Sequence, residues 1–251
     1  EYERMARAEG DLWWYRALHH LVADTLAGHP RGRAARIVDA GCGTGGLLRF
    51  LQRRGYRRTD GFDLSSEAVR ICRERGLPVR QCDLRQLDQA VGPETVDALI
   101  SNDTLCYFTP AEQERIMGLF WQALAPGGLL VLNLPAFAAF RGIHDLSVGI
   151  QYRFSRVDIP RLLAPSHFQL VKACFWPFCL SPVIYLVRRG QRRRLRQAGA
   201  TELKSDLGLP PRWLNCVLHG LTRLENAWLP WKPFGSSLFL AGKKTGPSTP
   251  C

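Results

Sequence analysis

The chain has 251 residues, 46% of them hydrophobic, which is enough for one large α/β domain or one domain with an appendage and argues against general disorder. Lys and Arg outnumber Asp and Glu 34 to 22, a formal charge of +12, so the partners that suit it are anionic: nucleic acid, an acidic membrane surface or an anionic small molecule. Eight cysteines without a CxxC pair or a Cys/His cluster of zinc spacing exclude a structural metal on sequence grounds and fit reduced thiols in a cytoplasmic protein.

Residues 1 to 29 have a helical apolar period through Trp13, Trp14, Leu18, Leu21, Val22 and Leu26. Strand-like runs follow at about 36–40, 58–63, 78–82, 95–101 and 128–134, with helical stretches near 45–54, 66–75 and 111–124 between them. Pro126-Gly127-Gly128 is read as the stop of the last helix. A helix at 156–164, a strand at about 168–174 and a closing strand at 236–242 complete the pattern, while the tail from Lys243 to Cys251 reads as disordered. Strands alternating with helices predict a Rossmann-like, doubly wound, seven-stranded and mostly parallel sheet. Three units are expected: a helical N-terminal lid over 1–30, a core over 31–175 and 235–244, and a basic, apolar, helical insertion over 176–234 before the last strand. The most apolar stretch, Ala173 to Val187, is too short for a spanning helix and holds Pro177 and Pro182.

The densest signal is Ile37-Val38-Asp39-Ala40-Gly41-Cys42-Gly43-Thr44-Gly45-Gly46, a strand that enters a glycine turn and then a helix. Such a turn brings backbone close to a nucleotide-like ligand, because glycine adopts conformations a Cβ would forbid. Asp63, about twenty residues on at the end of the next strand, can accept both ribose hydroxyls. These two features suit a nicotinamide dinucleotide as well as S-adenosylmethionine, so an oxidoreductase reading stays open at this point.

Asp39 two residues before the first glycine, Asp83 after the third strand and Leu124-Ala125-Pro126-Gly127-Gly128 before the fifth add to that pattern. Together these residues resemble the class I S-adenosylmethionine-dependent methyltransferases. The resemblance implies S-adenosyl-L-methionine as cofactor, with Asp39 organising the glycine loop and the amino-acid end, Asp63 on ribose and Asp83 on the adenine amino group. It gives a cofactor set of Asp39, Gly41, Cys42, Gly43, Gly45, Asp63, Leu64, Cys82, Asp83, Leu84 and Asn102, and no metal. Trp13-Trp14-Tyr15-Arg16, Leu134-Pro135-Ala136-Phe137 and Gly142-Ile143-His144-Asp145 are similar to a bacterial small-molecule subfamily with an N-terminal Trp-Trp helix. Cys106 and Tyr107 stand where that subfamily carries Glu and His, so the substrate half departs from it.

Acceptor groups belong after the fourth and fifth strands, where open α/β sheets bind ligands. That selects Asp103, Tyr107, His144 and Asp145, with His144 the first choice for a base, Asp145 an alternative or a neighbouring charge, and Tyr107 a hydrogen-bonding or packing group. Trp14, Tyr15, Phe137 and Arg153 complete the expected substrate contacts, while His19, His20, His29, His167 and His219 read as structural or surface residues. The insertion joins apolar residues to the run from Arg188 to Arg196, which suits an apolar, lipid-like, isoprenoid or specialised-metabolite acceptor with an anionic group, or contact with the inner face of a membrane. An RNA methyltransferase and a non-catalytic nucleotide-binding scaffold are the alternatives; the first lacks an Asn-Pro-Pro-aromatic tetrad, since Asn102-Asp103-Thr104-Leu105 stands there.

Overall fold

The computed structural model describes residues 2–163, 167–198, 209–229 and 231–245. From Arg194 the side chains of the Arg run lie outside the described residues, as do residue 164 at the end of the expected helix with 165 and 166 after it, residues 199–208 of the insertion and the tail from residue 246.

Seven strands form one sheet in the order β3-β2-β1-β4-β5-β7-β6. They are β1 (Ile37–Ala40), β2 (Thr59–Asp63), β3 (Val79–Gln81), β4 (Val96–Asn102), β5 (Leu124–Pro135), β6 (Phe168–Trp176) and β7 (Ser237–Lys244), with β7 alone antiparallel to its neighbours. The helices are α1 (Tyr2–Ala8), α2 (Trp13–Leu26), α3 (Gly46–Arg53), α4 (Ser66–Glu74), α5 (Leu87–Ala90), α6 (Pro110–Ala123), α7 (Ile143–Val148), α8 (Asp158–Leu163), α9 (Ser181–Ala198) and α10 (Arg212–Trp228). Because the crossovers cover both faces of the sheet, its central strands β1 and β4 are buried almost throughout and alternate residues serve opposite cores. Leu99 joins Phe62, Phe120 and Leu132 on one side, while Ala98 and Ile100 join Leu18, Leu51 and Phe239 on the other.

Local chemistry sets the helix starts. The Ser65 hydroxyl accepts from Ala68 N at the start of α4, and Thr109 with Glu112 forms a capping box at the start of α6. The expected single N-terminal helix is instead two, α1 and α2, broken at Gly10. Distant chain holds that break: Asn215 Nδ2 donates to Asp11 O at 2.6 Å, and Trp13 N donates to Asn215 Oδ1 at 2.8 Å.

Two further expectations are corrected. Pro126-Gly127-Gly128 does not stop α6, which ends at Ala123; it forms a bulge within β5, where Val96 pairs with Leu124 and Ala98 with Leu129. Lys243 and Lys244 belong to β7 rather than to a disordered tail, and the buried Lys244 ammonium donates to Leu124 O at 2.8 Å and lies 3.9 Å from the Trp121 ring centroid. Trp176, expected at the start of the insertion, is fully buried at the end of β6.

β1 and β4 are adjacent, and the chain runs outward from them in opposite directions, so their carboxyl ends open a crevice. Gly41, Cys42 and Gly43 of the glycine loop and Asn102 at the end of β4 lie there.

Candidate active site

A cavity of about 1370 Å³ lies over those strand ends. Its walls come from α1 and α2, the glycine loop, the ends of β2, β3 and β4, α7, and the inner sides of α9 and α10. Its volume exceeds the several hundred Å³ of an ordinary small-molecule site, so it has room for two ligands side by side.

The glycine loop is held from beneath by β2. Gly41 N and Cys42 N both donate to Phe62 O at 2.8 and 2.9 Å, and Gly43 N donates to Asp63 Oδ2 at 2.8 Å. Gly41 has φ +85°, and a Cβ there would run into the Thr104 side chain, so glycine is required by both conformation and space. Asp63 Oδ1 accepts from Ser65 N at 2.9 Å, so each carboxylate oxygen holds one backbone N–H and keeps further acceptor capacity in a residue that lines the cavity. Burial raises the Asp63 pKa against these hydrogen bonds.

Asp39, at the end of β1, is buried, and its Oδ1 has no hydrogen-bond partner among the described residues. Burial first, then the carboxylates of Asp63 and Glu9, pushes its pKa up to about 8. Glu9 was not among the expected site residues. From the end of α1 it accepts from Gly46 N at 3.1 Å, at the N-terminus of α3, and pairs with Arg75. Arg75 in turn donates to Thr44 O at 2.7 Å and Ala6 O at 2.8 Å, so α1 is tied to the back of the glycine loop.

This arrangement discriminates between the cofactors left open by the glycine spacing. A dinucleotide places its anionic diphosphate on the N-terminus of the helix after the loop. Here a carboxylate, Glu9, already occupies that position, and Asp39 and Asp63 add two more acids. With Glu9 paired to Arg75, Asp39 and Asp63 remain on the wall, and these two acids with a buried acceptor that lacks a donor fit a cationic ligand, such as one carrying an ammonium and a sulfonium group.

Cys42, Leu64, Cys82, Leu84 and Asn102 also line the cavity, and Asn102 Oδ1 is a second buried acceptor without a partner among the described residues. Gly45 does not line it; with φ +82° it caps α3 and packs against Leu77 and Cys72. Asp83 lines the cavity, but its carboxylate is engaged by Arg85, with Nη2 at 2.6 Å and Nε at 3.0 Å, and the Arg85 hydrogen bond and charge hold its pKa below the ordinary value despite partial burial.

The acceptor side departs further from expectation. The Asp145 carboxylate is engaged on both oxygens: it accepts from Gly142 N at 2.8 Å and from Arg153 Nε and Nη2 at 2.6 and 3.1 Å. Burial raises its pKa, but the Arg153 hydrogen bonds and charge outweigh that and hold the carboxyl below its usual range. Arg153 is consumed by the same contact and donates to Ala136 O at 2.7 Å, so it pins α7 to the end of β5 even though it borders the cavity. Phe137 does not line the cavity; its ring packs 4.7 Å from Phe175. His144, Tyr107, Trp14 and Tyr15 do line it. His19 borders it too, and burial lowers its pKa to about 3, which keeps the imidazole neutral.

Asp103 emerges as the acid with the most distinctive setting. It follows β4 in a left-handed conformation, φ +51°, which Asp tolerates better than most residues but which still costs energy. Asn133 Nδ2 donates to both of its carboxylate oxygens, at 3.1 and 3.0 Å, and Asn133 Oδ1 accepts from Trp176 Nε1 at 2.9 Å. The Trp176 ring is stacked on Trp14 of α2 at 5.4 Å. Burial pushes the Asp103 pKa up to about 7, against the opposing pull of Asn133 and Arg153.

The sheet order and the acid-lined glycine turn thus define a Rossmann-like protein whose crevice suits a cationic ligand. The sequence model of the methyltransferase-domain family matches residues 37–128. Among curated proteins the chain is similar to trans-aconitate 2-methyltransferase of Mycobacterium tuberculosis, 36% identical over 104 residues, covering 41% of this chain and 38% of that protein. It is also similar to the enzyme of that name from Mycolicibacterium gilvum, 32% identical over 149 residues, covering 58% and 55%. These matches thus span roughly two-fifths to just over half of the relatives' length. Two solved structures share the fold: an S-adenosylmethionine-dependent methyltransferase from Archaeoglobus fulgidus (TM-score 0.58, 14% identity, 90% of this chain and 94% of that one) and geranyl diphosphate C-methyltransferase from Streptomyces coelicolor (TM-score 0.57, 18% identity, 92% and 82%). Residues 37–128 thus match the methyltransferase-domain family, and the chain as a whole shares the fold of S-adenosylmethionine-dependent methyltransferases of known structure.

The acids leave a signature in the ligand-free protein. Asp39 binds its proton more tightly in the folded chain than in the unfolded one, so its contribution to stability is fully present below the unfolded pKa and is lost as pH rises through about 8. The Tm of the ligand-free protein is expected to fall between about pH 5 and pH 8, and to fall less steeply in Asp39→Asn. Scanning calorimetry across that range checks it; equal slopes in the two proteins refute it.

Proposed function

We propose that the protein transfers the methyl group of S-adenosylmethionine to a small, largely apolar acceptor that carries an anionic group and loses a proton on reaction. The observation that carries this reading is Asp103, a carboxylate with a pKa near 7 on the wall of a cavity large enough for cofactor and acceptor together. S-adenosylmethionine supplies an electrophilic methyl on a sulfonium. The protein's own part is alignment, exclusion of water and acceptance of the proton. Asp39, Asp63 and Asn102 are the groups suited to the cofactor, and Trp14, Tyr107 and His144 border the remaining space. Asp103 is the proton acceptor in this proposal, with His144 the second choice.

Trp13, Leu18, Phe140, Ile150, Ile184 and Leu218 make that space mainly apolar, and Arg188 of α9 adds positive charge at its wall. The acceptors named for the similar proteins, trans-aconitate and geranyl diphosphate, are both anionic, which supports the charged part of the proposal. A lipid-like acceptor would reach this cavity from a membrane surface.

Calorimetric titration with S-adenosylhomocysteine and NAD in parallel tests the cofactor: saturable binding of the first alone is expected. Transfer of labelled methyl to a panel of polycarboxylates, prenyl diphosphates and neutral apolar alcohols then tests the acceptor class. Binding of NAD alone, or methylation confined to RNA, overturns the proposal.

A further inference from the structure

Helix α10 is turned inside out. Its buried residues are polar: Asn215 bridges the α1–α2 break, Thr222 hydrogen-bonds Leu218 O at 2.9 Å, and Glu225 accepts from Phe178 N and Cys179 N at 2.7 and 2.8 Å. Its outer face is apolar, with Trp213 69%, Val217 57%, Leu224 60% and Trp228 79% exposed, and Leu221 exposed between them. These residues recur at spacings of three and four, so they form one stripe, about 23 Å long at 1.5 Å per residue. On a water-facing helix the same positions would be polar.

The neighbouring helix repeats the theme. Val183, Leu186 and Val187 of α9 are exposed, and the exposed side continues into Arg189 and Arg193. From residue 177 to 234 there are ten Lys and Arg against three Asp and Glu, and Glu225, the sole acid of α10, points inward. The opposite sides of these helices, through Ile184, Arg188 and Leu218, line the cavity.

We infer that the outer faces of α9 and α10 dock on the surface of a lipid bilayer rich in anionic headgroups. Charge complementarity selects this occupant: a second copy of a chain with net charge +12 would bring one basic surface against another, whereas acidic lipid balances it. Tryptophans at both ends of the stripe, with the exposed Trp231 just beyond, suit the boundary between headgroups and acyl chains. No helix among the described residues is long and apolar enough to cross a membrane, so the contact is peripheral. The inference rests on the reading of an apolar acceptor for its purpose, since it sets the cavity walls against the phase in which such an acceptor dissolves.

Flotation with vesicles of phosphatidylglycerol and phosphatidylcholine, against phosphatidylcholine alone, tests it. The whole protein is expected to bind the acidic vesicles at least about tenfold better, with most of that preference lost at roughly 0.5 M salt. Two surface variants, Val217→Glu with Leu224→Glu, and Arg189→Glu with Arg193→Glu, are each expected to lower vesicle binding at least about tenfold while S-adenosylhomocysteine affinity stays unchanged. Absence of binding to acidic vesicles, or binding by both variants as tight as that of the wild type, overturns the inference. So does a dimer in light scattering that the Val217→Glu, Leu224→Glu pair dissolves, which would assign the face to a second copy. Cofactor binding without vesicle binding sinks the docking surface alone, and vesicle binding without cofactor binding sinks the methyltransferase reading alone.

Discussion

Asp103→Asn is expected to lower the rate of methyl transfer by about 10²- to 10⁴-fold, the usual contribution of a positioned general base, while leaving S-adenosylhomocysteine affinity within about twofold. Asn keeps the size and one acceptor of Asp and tolerates the left-handed backbone at this position, so the loss reports proton transfer rather than misfolding. Wild-type activity should rise with pH to an inflection near 7, since the base works only when deprotonated and burial places its pKa at about 7. Single-turnover assays with labelled donor and the acceptor found by screening measure both effects. Carboxyl NMR offers a readout that needs no acceptor: one aspartate titrating near 7 in the wild type and missing from Asp103→Asn. A fully active Asn variant removes Asp103 from the chemistry and returns the role to His144.

Asp63→Ala is expected to weaken S-adenosylhomocysteine binding by about 1–3 kcal/mol, roughly fivefold to more than a hundredfold. The substitution removes the acceptor for Gly43 N and Ser65 N as well as the further acceptor capacity of a residue that lines the cavity, so the glycine loop loses its internal support together with a ligand contact. Asp83→Ala is expected to cost less, because the Asp83 carboxylate is already engaged by Arg85. Calorimetry on the two variants ranks them. Equal affinities for wild type and Asp63→Ala would take Asp63 out of the site, and a larger loss at Asp83 would reverse the order argued from the geometry.

The parts of the site that were legible before the structure are those made by consecutive residues. A short apolar strand, a turn that only glycine can follow and a helix start occupy Ile37 to Phe50, and Asp63 sits at the end of the next strand. Their geometry is local, so their chemistry is written in order along the chain. Glu9 was missed because its partner, Gly46 N, lies 37 residues away, and no nearby residue marks that acid as a cap for a distant helix. For Asp145 and Arg153 the sequence shows charge and position, but not the mutual pairing that engages both. Phe137 was expected to meet substrate, yet its ring turns to Phe175. The apolar period of α10 was also plain, but a period gives the width of a stripe and not the side that faces water; its anchoring through Asn215 and Glu225 turns the stripe outward.

By itself the sequence determined the α/β alternation, the glycine turn after β1 and the places of Asp39, Asp63 and Asp83 at or after the strand ends, because strand and helix periods and glycine's backbone freedom are properties of neighbouring residues. Only the tertiary structure decided which acids are paired, which of them face the cavity and which side of α10 meets the outside. Those outcomes depend on burial and on hydrogen bonds between residues far apart in the chain, and desolvation acts on a carboxylate only once the fold has closed around it.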